Sequence, residues 1–302
     1  MAAEPGPIAI LGNVTLDVIC KTVDDVPRQD SIDFQQGAVT PGGCASNTAL
    51  QLARLGEPVL LIAHTGDDWT ASFLEDAWRH AGVDISLVRR TAGFQTGISI
   101  GLVDSQLQPR FIYTPGANTA LVPDSLDPAL LIERGVSFLH VAGYFVLPGL
   151  LDRDFARQLV RLREAGIQTS LDVVFSPAMK EPEVLYALLP HLDLFTCNRY
   201  EGELISGFAE PRAAAAFLHE RGARAVVIKL GPAGCWLSEG GKGREIPAPR
   251  VDRPLDTTGA GDAFAAGLLS GLREGLNLPG ACRLGNQTGA AAVSYLGAVR
   301  LD

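Results

Sequence analysis

Short apolar runs alternate along the chain with longer segments in which apolar residues recur at helical spacing. The short runs predict buried strands at IAILG (8–12), PVLLIAH (58–64), VSFLHVAG (136–143), IQTSLDV (167–173), LDLFTCN (192–198) and ARAVVIKLG (223–231). The longer segments predict helices over 44–56, 67–82 and 151–166, the first two of which end at Gly56 and Gly82. This alternation predicts an α/β fold, with a central, mostly parallel sheet and helices on both faces.

Two segments interrupt the alternation. Residues 13–41 contain strand-like pieces without a good helix, and residues 93–114 have the pattern of a β-hairpin with its turn near 104–108. We expect these segments to pair into a small β-sheet that forms a lid over the carboxyl ends of the parallel strands, where α/β sheets bind ligands. The α/β core would then comprise residues 1–12, 42–92 and 115–302.

Composition excludes several classes of protein. The 302 residues are 47% hydrophobic and carry a net charge of −9 without a long basic run, which argues against a nucleic-acid partner. No apolar stretch is long enough to predict a membrane span, and the amino-terminal residues do not have the pattern of a signal peptide. The five cysteines form no CxxC pair, so we expect a reducing, cytoplasmic location without disulfides or structural zinc.

The stretch DTTGAGDAF (256–264) lies where a polar, proline-rich loop leads into an apolar helix. The first N–H groups of a helix have no internal partner, and glycines allow a ligand to approach the backbone closely. The amides at 259–261 are therefore a candidate anion hole for a phosphoryl group, and Asp262 is a candidate general base. The alternative is that Asp262 is simply an acid favoured by the helix dipole.

The stretch PGGCASNTALQLARLG (41–56) places Gly42 and Gly43 before a helix and Asn47 in its first turn. Glycines permit close approach of a ligand, and an asparagine offers both a donor and an acceptor to a polyol. The alternative, which this stretch by itself favours, is a flexible loop that enters a helix with a polar first turn.

Together, the two stretches resemble the signature regions of the PfkB, or ribokinase-like, family of carbohydrate and nucleoside kinases. The first matches the pattern GG-x-x-x-N-x-A-x-x-L-A-x-L-G, and the second matches D-T-x-G-A-G-D-x-F. The resemblance spans essentially the whole chain and implies a ribokinase-like fold with a β lid. It implies an ATP-dependent, Mg²⁺-assisted kinase that phosphorylates a primary hydroxyl of a small sugar.

The resemblance also implies roles for individual residues. Asp262 would be the catalytic base, and Gly259, Ala260 and Gly261 would form the anion hole. Asp17, Gly42, Gly43 and Asn47 would bind the substrate. For Asp17, the alternative is an acid on the surface of a strand.

On the nucleotide side, Asn198 and Glu201 match the family's N-x-x-E motif, which acts on Mg²⁺ mostly through water and on the phosphates. The alternative is a helix N-cap with an acid in the first turn, and both interpretations can hold together. Lys229, Gly231 and Gly234 lie in KLGPAG, which matches the nucleotide loop.

Three further residues also have counterparts in the family. Asn286 matches a position near the adenine, the alternative being an amide on a helix surface. Asp256 and Thr258 match positions that help to hold K⁺ in many relatives.

The histidines at 64, 80, 140, 191 and 219 form no spaced pair, which indicates structural roles.

The chain departs from ribokinase at two places. Ribokinase has a lysine where this chain has Cys44, and it has an acidic sugar contact in the region of Tyr144 and Phe145. Aromatic rings near the substrate would favour a nucleoside acceptor by stacking, whereas the alternative is that they pack under the lid. A nucleoside kinase and a non-catalytic sugar- or nucleotide-binding protein thus remain alternatives. Exposed lid edges suggest a homodimer.

Overall fold

The computed structural model describes residues 5–106, 109–295 and 297–300. Within these ranges the strands are β1 Ile8–Gly12, β2 Thr15–Lys21, β3 Gln36–Gly42, β4 Val59–Gly66, β5 Asp84–Thr91, β6 Gly97–Val103, β7 Pro109–Thr114, β8 Phe138–Ala142, β9 Gln168–Asp172, β10 Leu194–Asn198, β11 Ala225–Lys229, β12 Cys235–Glu239 and β13 Lys242–Ile246. The α-helices are α1 Cys44–Arg54, α2 Trp69–His80, α3 Pro128–Glu133, α4 Phe155–Glu164, α5 Glu183–Tyr186, α6 Arg199–Ser206, α7 Pro211–Glu220, α8 Ala260–Arg273 and α9 Leu278–Ala292. Short 3₁₀ helices connect several of them.

Nine strands form the large sheet, in the order β13-β12-β11-β10-β9-β8-β1-β4-β5. The seven strands from β11 to β5 are parallel, whereas β12 and β13 continue the sheet as an antiparallel hairpin. The mostly parallel α/β architecture expected from the sequence is therefore confirmed. All six predicted strands are present and belong to this sheet.

Hydrophobic side chains form the core on both faces of the large sheet, and strand β1 contributes to both faces. Its alternate side chains enter opposite hydrophobic clusters because successive residues of a strand point to opposite faces. Ile8 and Ile10 pack into a cluster with apolar residues of α1, α2 and α8. Ala9 and Leu11 pack into a second cluster with residues of α4, α6 and α7. All four side chains are fully buried, which explains why this strand reads as a continuous apolar run.

Four strands form the smaller sheet, in the order β3-β2-β6-β7. The β2 and β6 strands are parallel, and each has an antiparallel neighbour, β3 and β7. The predicted hairpin is confirmed as β6 and β7, although residues 107 and 108 of its turn lie outside the described residues. Only Asn13 and Val14 separate β1 from β2, so this lid sheet begins at the carboxyl end of the central strand.

Two local features complete the large sheet. The loop in EGGKGRE (239–245) is a hairpin turn between β12 and β13, with Gly240 and Gly241 at φ 55° and 77°. Such left-handed pairs suit the twist of a two-residue hairpin. The edge strand β5, in contrast, was not predicted. Its side chains are mostly exposed or half-buried, so the segment has no apolar run to mark it.

Among the helices in the described ranges, none combines the length and apolar character needed to cross a membrane.

Candidate active site

Polar side chains converge at the carboxyl ends of the parallel strands. Asp172, Asn198 and Lys229 are the last residues of the adjacent strands β9, β10 and β11. The first turn of α8 brings Asp262 to the same edge, where it interacts electrostatically with Asp172 and Lys229. Because this edge is where open α/β sheets bind ligands, the structure places the candidate chemistry at the expected end of the sheet.

The entry to α8 requires the glycine at its N-cap. Gly259 has φ 74°, and a Cβ there would lie 2.5 Å from the Cβ of Ala298. Of the three amides expected to form an anion hole, that of Ala260 donates to the Thr257 carbonyl at 3.2 Å. The anion-hole hypothesis therefore rests mainly on the amides of Gly259 and Gly261. The Lys229 ammonium lies beside Gly261, 3.1 Å from where its Cβ would be, and adds positive charge.

Asp262 combines burial with a mixed charge environment. Its Oδ2 accepts a hydrogen bond from Nδ2 of Asn47 at 2.8 Å. Burial and the neighbouring Asp172 raise its pKa to about 7, against the lowering effects of Asn47 and Lys229. A carboxyl group with a pKa near neutrality can accept a proton from a hydroxyl at physiological pH. The position of Asp262 in the first turn of α8 also fits the alternative of an acid stabilised by the helix dipole. Its position alone therefore does not distinguish this alternative from a general base.

Asp17 is buried, with 7% of its surface exposed, so the alternative of a surface acid is wrong. Its Oδ1 accepts from the Thr15 hydroxyl at 2.6 Å, and burial raises its pKa to about 6. Gly42 provides the room for this carboxyl, because a Cβ on Gly42 would lie within 2.1 Å of three of its atoms. The observed position of the Asp17 carboxyl group therefore requires a glycine at position 42.

The loop before α1 supplies the second motif. Gly43 is the N-cap of α1 with φ 85°, and a Cβ there would lie 2.5 Å from the carbonyl oxygen of Asn13. Asn47 is buried, and its Oδ1 has no hydrogen-bond partner in the described part of the chain. An unpaired buried acceptor is unfavourable, so Oδ1 of Asn47 is available to accept a hydrogen bond from a donor such as a hydroxyl group.

Asn198 and Glu201 form a capping box at the start of α6. Asn198 Oδ1 accepts from the Glu201 amide at 2.8 Å, and Glu201 Oε2 accepts from the Asn198 amide at 2.7 Å. The helix-cap interpretation is therefore confirmed. Glu201 is also buried, and burial raises its pKa to about 7 against the lowering effect of Lys229. The helix-cap role of Glu201 is compatible with a further, water-mediated role.

Lys229 is the cation of the site. Burial lowers its pKa, but Asp172, Glu201 and Asp262 together raise it above the ordinary value of a lysine. The described residues contain no group of three or more His, Cys, Asp or Glu side chains that would hold a metal by themselves. Mg²⁺ commonly uses one or two carboxylates together with substrate phosphates. The donor set of Glu201 and Asp172 fits that mode and not a closed protein cage.

Asp172 is a site residue that the sequence reasoning missed. Its Oδ1 accepts from the Gly143 amide at 2.6 Å, and its Oδ2 lies 3.5 Å from Nε2 of His140. Burial raises its pKa, but the contacts with His140, Lys229 and Gly143 outweigh this, so the pKa is lowered and the group is ionised. Its position as the last residue of a buried strand is a signal that could have identified it.

The nucleotide-loop candidates lie around the start of β12. Gly234 has φ 98°, and a Cβ there would lie 2.1 Å from the Ile246 carbonyl oxygen. Gly231 has φ 61° and opens the short 3₁₀ turn that follows β11. Asn286 is buried and donates to the carbonyl oxygens of Ile246 and Pro247 at 2.9 and 3.3 Å. The alternative of a helix-surface amide is therefore wrong, because Asn286 ties α9 to the end of β13.

Asp256 and Thr258 form a braced turn before α8. Asp256 Oδ1 accepts from the amide and the hydroxyl of Thr258 at 2.9 and 2.7 Å, and its Oδ2 accepts from the Gly297 amide at 3.0 Å. These contacts explain both residues as loop structure. Their expected role toward K⁺ stays a prediction.

Tyr144 and Phe145 do not line the site. They are 0% and 2% exposed, and the Tyr144 ring stacks on Phe155 of α4 with centroids 6.4 Å apart. The hypothesis that they stack on a nucleobase is wrong, because a strand end followed by a glycine turns both rings into the core. Burial, and after it the charges of Asp262 and Asp172, raises the pKa of the Cys44 thiol.

The site and fold described above agree with the result of a family comparison. The chain belongs to the pfkB family of carbohydrate kinases, whose model matches residues 7–301. It is therefore a phosphotransferase of the carbohydrate-kinase type.

Its relatives act on different acceptors. It is 30% identical over 265 residues to 2-dehydro-3-deoxygluconokinase of Bacillus subtilis, covering 84% of this chain and 81% of that protein. It is 31% identical over 294 residues to aminoimidazole riboside kinase of Salmonella typhimurium, covering 92% and 88%. The structure resembles that of Arabidopsis thaliana ribokinase complexed with ribose and ATP, with a TM-score of 0.83, 24% identity, and 97% and 94% of the two chains covered.

Proposed function

We propose that the protein transfers the γ-phosphoryl group of ATP to a primary hydroxyl of a small sugar or sugar-like alcohol, with Asp262 as the general base. The observation that carries this proposal is the position of Asp262. It is buried in the first turn of α8, held by Asn47, and adjacent to the Lys229 ammonium beside Gly261. A base next to a positively charged helix entry is what phosphoryl transfer to a hydroxyl requires.

The groups of the site have separate roles in the reaction. Asp262 takes the proton of the attacking hydroxyl, while the amides of Gly259 and Gly261, with Lys229, stabilise the charge on the transferred group. Asp17, Gly42, Gly43 and Asn47 orient the acceptor. The hydrogen bond from Asn47 leaves Oδ1 of Asp262 for the acceptor proton.

On the nucleotide side, Lys229, Gly231, Gly234 and Asn198 would contact ATP, and Asn286 would support the adenine end from behind. Glu201, through water, would hold Mg²⁺, which supplies charge neutralisation between the phosphates when it is bound. Asp172, which the structure adds to this group, lies next to Lys229 and keeps it charged. The turn at Asp256 and Thr258 would hold K⁺ through a carboxylate lone pair, since Oδ2 of Asp256 accepts one hydrogen bond, from the Gly297 amide.

The lid sheet has a role that follows from its place in the chain. Segments 13–41 and 93–114 would close over the acceptor bound to the core, residues 1–12, 42–92 and 115–302. Closure excludes water, which would otherwise compete with the acceptor for the phosphoryl group. Exposed apolar residues on the lid, among them Val39, Phe111 and Ile112, support the expected homodimer through this sheet. The five free cysteines are in keeping with a cytoplasmic location.

A nucleoside kinase of the same fold is the second candidate, favoured by the 31% identity to a riboside kinase. The burial of Tyr144 and Phe145 removes one argument for it. The non-catalytic binding protein is disfavoured, because a binding site has no need of a buried base with a pKa near 7 beside an anion hole.

The experiment is ADP release from Mg-ATP against a panel of sugars, sugar acids and nucleosides, with and without K⁺. We expect acceptor-dependent ADP release, together with a phosphorylated product whose acceptor identifies the class. Nucleotide binding without release for any acceptor would contradict the proposed function and favour a binding protein.

A further inference from the structure

Two cysteines that take no part in the proposed reaction lie beside each other next to the nucleotide loop. Cys235 is the first residue of β12, directly after Gly234, and Cys282 lies on α9. Both side chains are fully buried in the same hydrophobic cluster, and their thiol groups share a hydrogen bond. Two cysteines can be bridged without a large rearrangement only when their side chains face each other, and this hydrogen bond shows that these two do.

Asn286 ties the cysteine pair to the end of the large sheet. It follows Cys282 by one helical turn, so the two side chains lie on the same face of α9. Its Nδ2 donates to Sγ of Cys235 at 3.9 Å and to the carbonyl oxygen of Ile246 at 2.9 Å. The sulfur of Cys235 therefore has hydrogen-bond donors from two residues of α9.

The two thiols differ in reactivity. The hydrogen bond from Cys282 lowers the pKa of Cys235 against the raising effect of burial, and Asn286 lowers it further. The same hydrogen bond, together with burial, raises the pKa of Cys282 above its ordinary value. Because the thiolate is the reactive form of a cysteine, Cys235 is the nucleophile of the pair and Cys282 is its resolving thiol.

The pair joins two elements that border the ATP site, and this step of the argument rests on the proposed function. The loop from Gly231 to Gly234 leads directly into Cys235. Its backbone is packed closely against the end of β13, since a Cβ on Gly234 would lie 2.1 Å from the Ile246 carbonyl oxygen. A disulfide bond is about 2.05 Å long, shorter than a hydrogen bond between two thiols. Oxidation must therefore displace either this loop or the turn of α9 that carries Asn286.

We propose that Cys235 and Cys282 form a reversible disulfide, and that this disulfide weakens the binding of ATP. The site would act as a redox switch next to the nucleotide, in keeping with the transient, redox-sensing role of disulfides in reducing compartments.

The oxidant is a hydroperoxide such as H₂O₂. The Cys235 thiolate attacks one peroxide oxygen, the O–O bond breaks, and the departing hydroxide takes up the thiol proton as water, which leaves a sulfenic acid on Cys235. The Cys282 sulfur then attacks the Cys235 sulfur, an S–S bond forms, and the sulfenic hydroxyl leaves with the Cys282 proton as a second water. The two thiols thus lose two electrons to one peroxide. A dithiol such as dithiothreitol reverses the reaction by thiol–disulfide exchange.

The first experiment detects the bond itself. The full-length protein is treated with H₂O₂, its remaining thiols are blocked with N-ethylmaleimide in denaturant, and it is digested with trypsin. Cleavage after lysine and arginine places the two cysteines in separate peptides, 230–242 and 274–283. We expect a linked species lighter than the sum of these peptides by two hydrogen atoms, which dithiothreitol separates. Recovery of both peptides as alkylated thiols overturns the inference.

The second experiment measures the dissociation constant for ATP by calorimetry, with the reduced and the oxidised protein. We expect the oxidised form to bind ATP at least about tenfold more weakly, and dithiothreitol to restore the binding. By linkage, saturating ATP should then shift the equilibrium of the pair in a redox buffer about tenfold toward the thiols, which raises its reduction potential by about 30 mV. Equal dissociation constants overturn the switch. Failure of the reduced protein to bind ATP contradicts the proposed function instead, and the linked peptides are detected independently of it.

Three variants assign the effect to this pair. Cys235→Ala removes the nucleophile, so its dissociation constant for ATP should not respond to peroxide. Cys20→Ser is the matched control, because Cys20 lies on the lid strand β2 and its removal should leave the response of the wild type. A peroxide response that persists in Cys235→Ala overturns the assignment.

Cys282→Ala tests the order of the two steps. Without the resolving thiol, the oxidised Cys235 should remain a sulfenic acid, which dimedone traps on peptide 230–242. An unmodified Cys235 in this variant would overturn its role as the nucleophile.

Discussion

The side-chain amide of Asn47 donates to Oδ2 of Asp262 at 2.8 Å and joins the first turns of α1 and α8 across 215 residues of sequence. The two sequence motifs therefore meet in one hydrogen bond. One oxygen of the carboxyl group is fixed in direction, and the base is tied to the element that is expected to bind the acceptor. Any change to this bond should appear both in the rate and in its pH dependence.

The first prediction concerns Asn47→Asp. This change places a second carboxyl group against Asp262, and two carboxylates at hydrogen-bond distance share one proton. One of the two pKa values of such a pair is strongly raised, so the acidic limb of the kcat profile should move upward by about one pH unit or more. A pH–rate series of variant and wild type measures this shift.

Asn47→Ala is the matched control for that prediction. It removes the same hydrogen bond without adding a charge, so its acidic limb should move less than that of Asn47→Asp. Equal shifts for the two variants would mean that the charge at position 47 does not reach Asp262.

The second prediction is the pH dependence of the wild type. A general base must be ionised, and burial and Asp172 raise the pKa of Asp262 to about 7. Turnover should therefore fall as the pH decreases through about 7, with a slope of one proton. A rate that is constant down to about pH 5 would show that no group with this pKa serves as the base.

The third prediction concerns stability, for which the sign follows from linkage. The pKa of Asp262 is about 7 in the folded chain against 3.8 ordinarily, so between these values the folded state binds more protons. The resulting stabilisation is complete below pH 3.8 and is lost as the pH rises through about 7. Asp262→Asn removes the buried charge, so its melting temperature should exceed that of the wild type at pH 8 and differ less at pH 5. A variant that is less stable than the wild type at pH 8 would contradict this account.

The fourth prediction concerns Gly42. In Gly42→Ala the new Cβ would lie 1.9 Å from Cγ of Asp17, so the carboxyl group must move. We expect kcat/KM for the acceptor to fall by roughly 100-fold or more, while the dissociation constant for ATP stays the same. Gly280→Ala in the first turns of α9 is the control, because its nearest contact is a side-chain oxygen at 3.2 Å. Comparable losses in both variants would contradict the link between Gly42 and Asp17.

The fifth prediction tests the structural support of α8. Glu57 accepts from Ser270 at 2.6 Å and from the Arg273 guanidinium at 2.7 Å, and both members of the ion pair are largely buried. Glu57→Gln leaves the charge of Arg273 without its partner, which should lower the free energy of unfolding by about 3 kcal/mol without changing KM. Chemical denaturation measures the change.

The control for Glu57 is an exposed ion pair. Arg250 and Asp252 are 91% and 80% exposed, so Asp252→Asn should change the free energy of unfolding by less than about 1 kcal/mol. A similar loss for Asp252→Asn and Glu57→Gln would contradict the assignment of stability to the buried pair.

The elements that the sequence predicts well are those with a strong periodic signal. The apolar runs of β1, β4 and β8 to β11 mark strands buried on both faces, and α1 and α2 end where a glycine follows. The edge strand β5 has no such signal, since solvent covers part of it. Local patterns thus locate the parts of the sheet that lie in the core.

The site was predicted less completely, because its residues meet only through the tertiary fold. Asp172 belongs to no motif and acquires its place when β9 lies between β8 and β10. For Asp17 and Asn286, the sequence left open a position on the surface, which their burial in the structure excludes. A single buried polar residue does not alter the periodic pattern of the sequence, so this burial could not be predicted. For Tyr144 and Phe145, the departure from ribokinase indicated aromatic rings near the site but not that the turn at Gly143 directs them into the core.

The central claim is that Asp262 is the base of a phosphoryl transfer, and the most direct measurement compares Asp262→Asn with the wild type at saturating Mg-ATP and acceptor. Asparagine keeps the size of the side chain and an oxygen that can accept from Asn47. We expect turnover to fall by about 10²–10⁴-fold or more, with the dissociation constant for ATP unchanged by calorimetry. Turnover equal to that of the wild type would contradict the account.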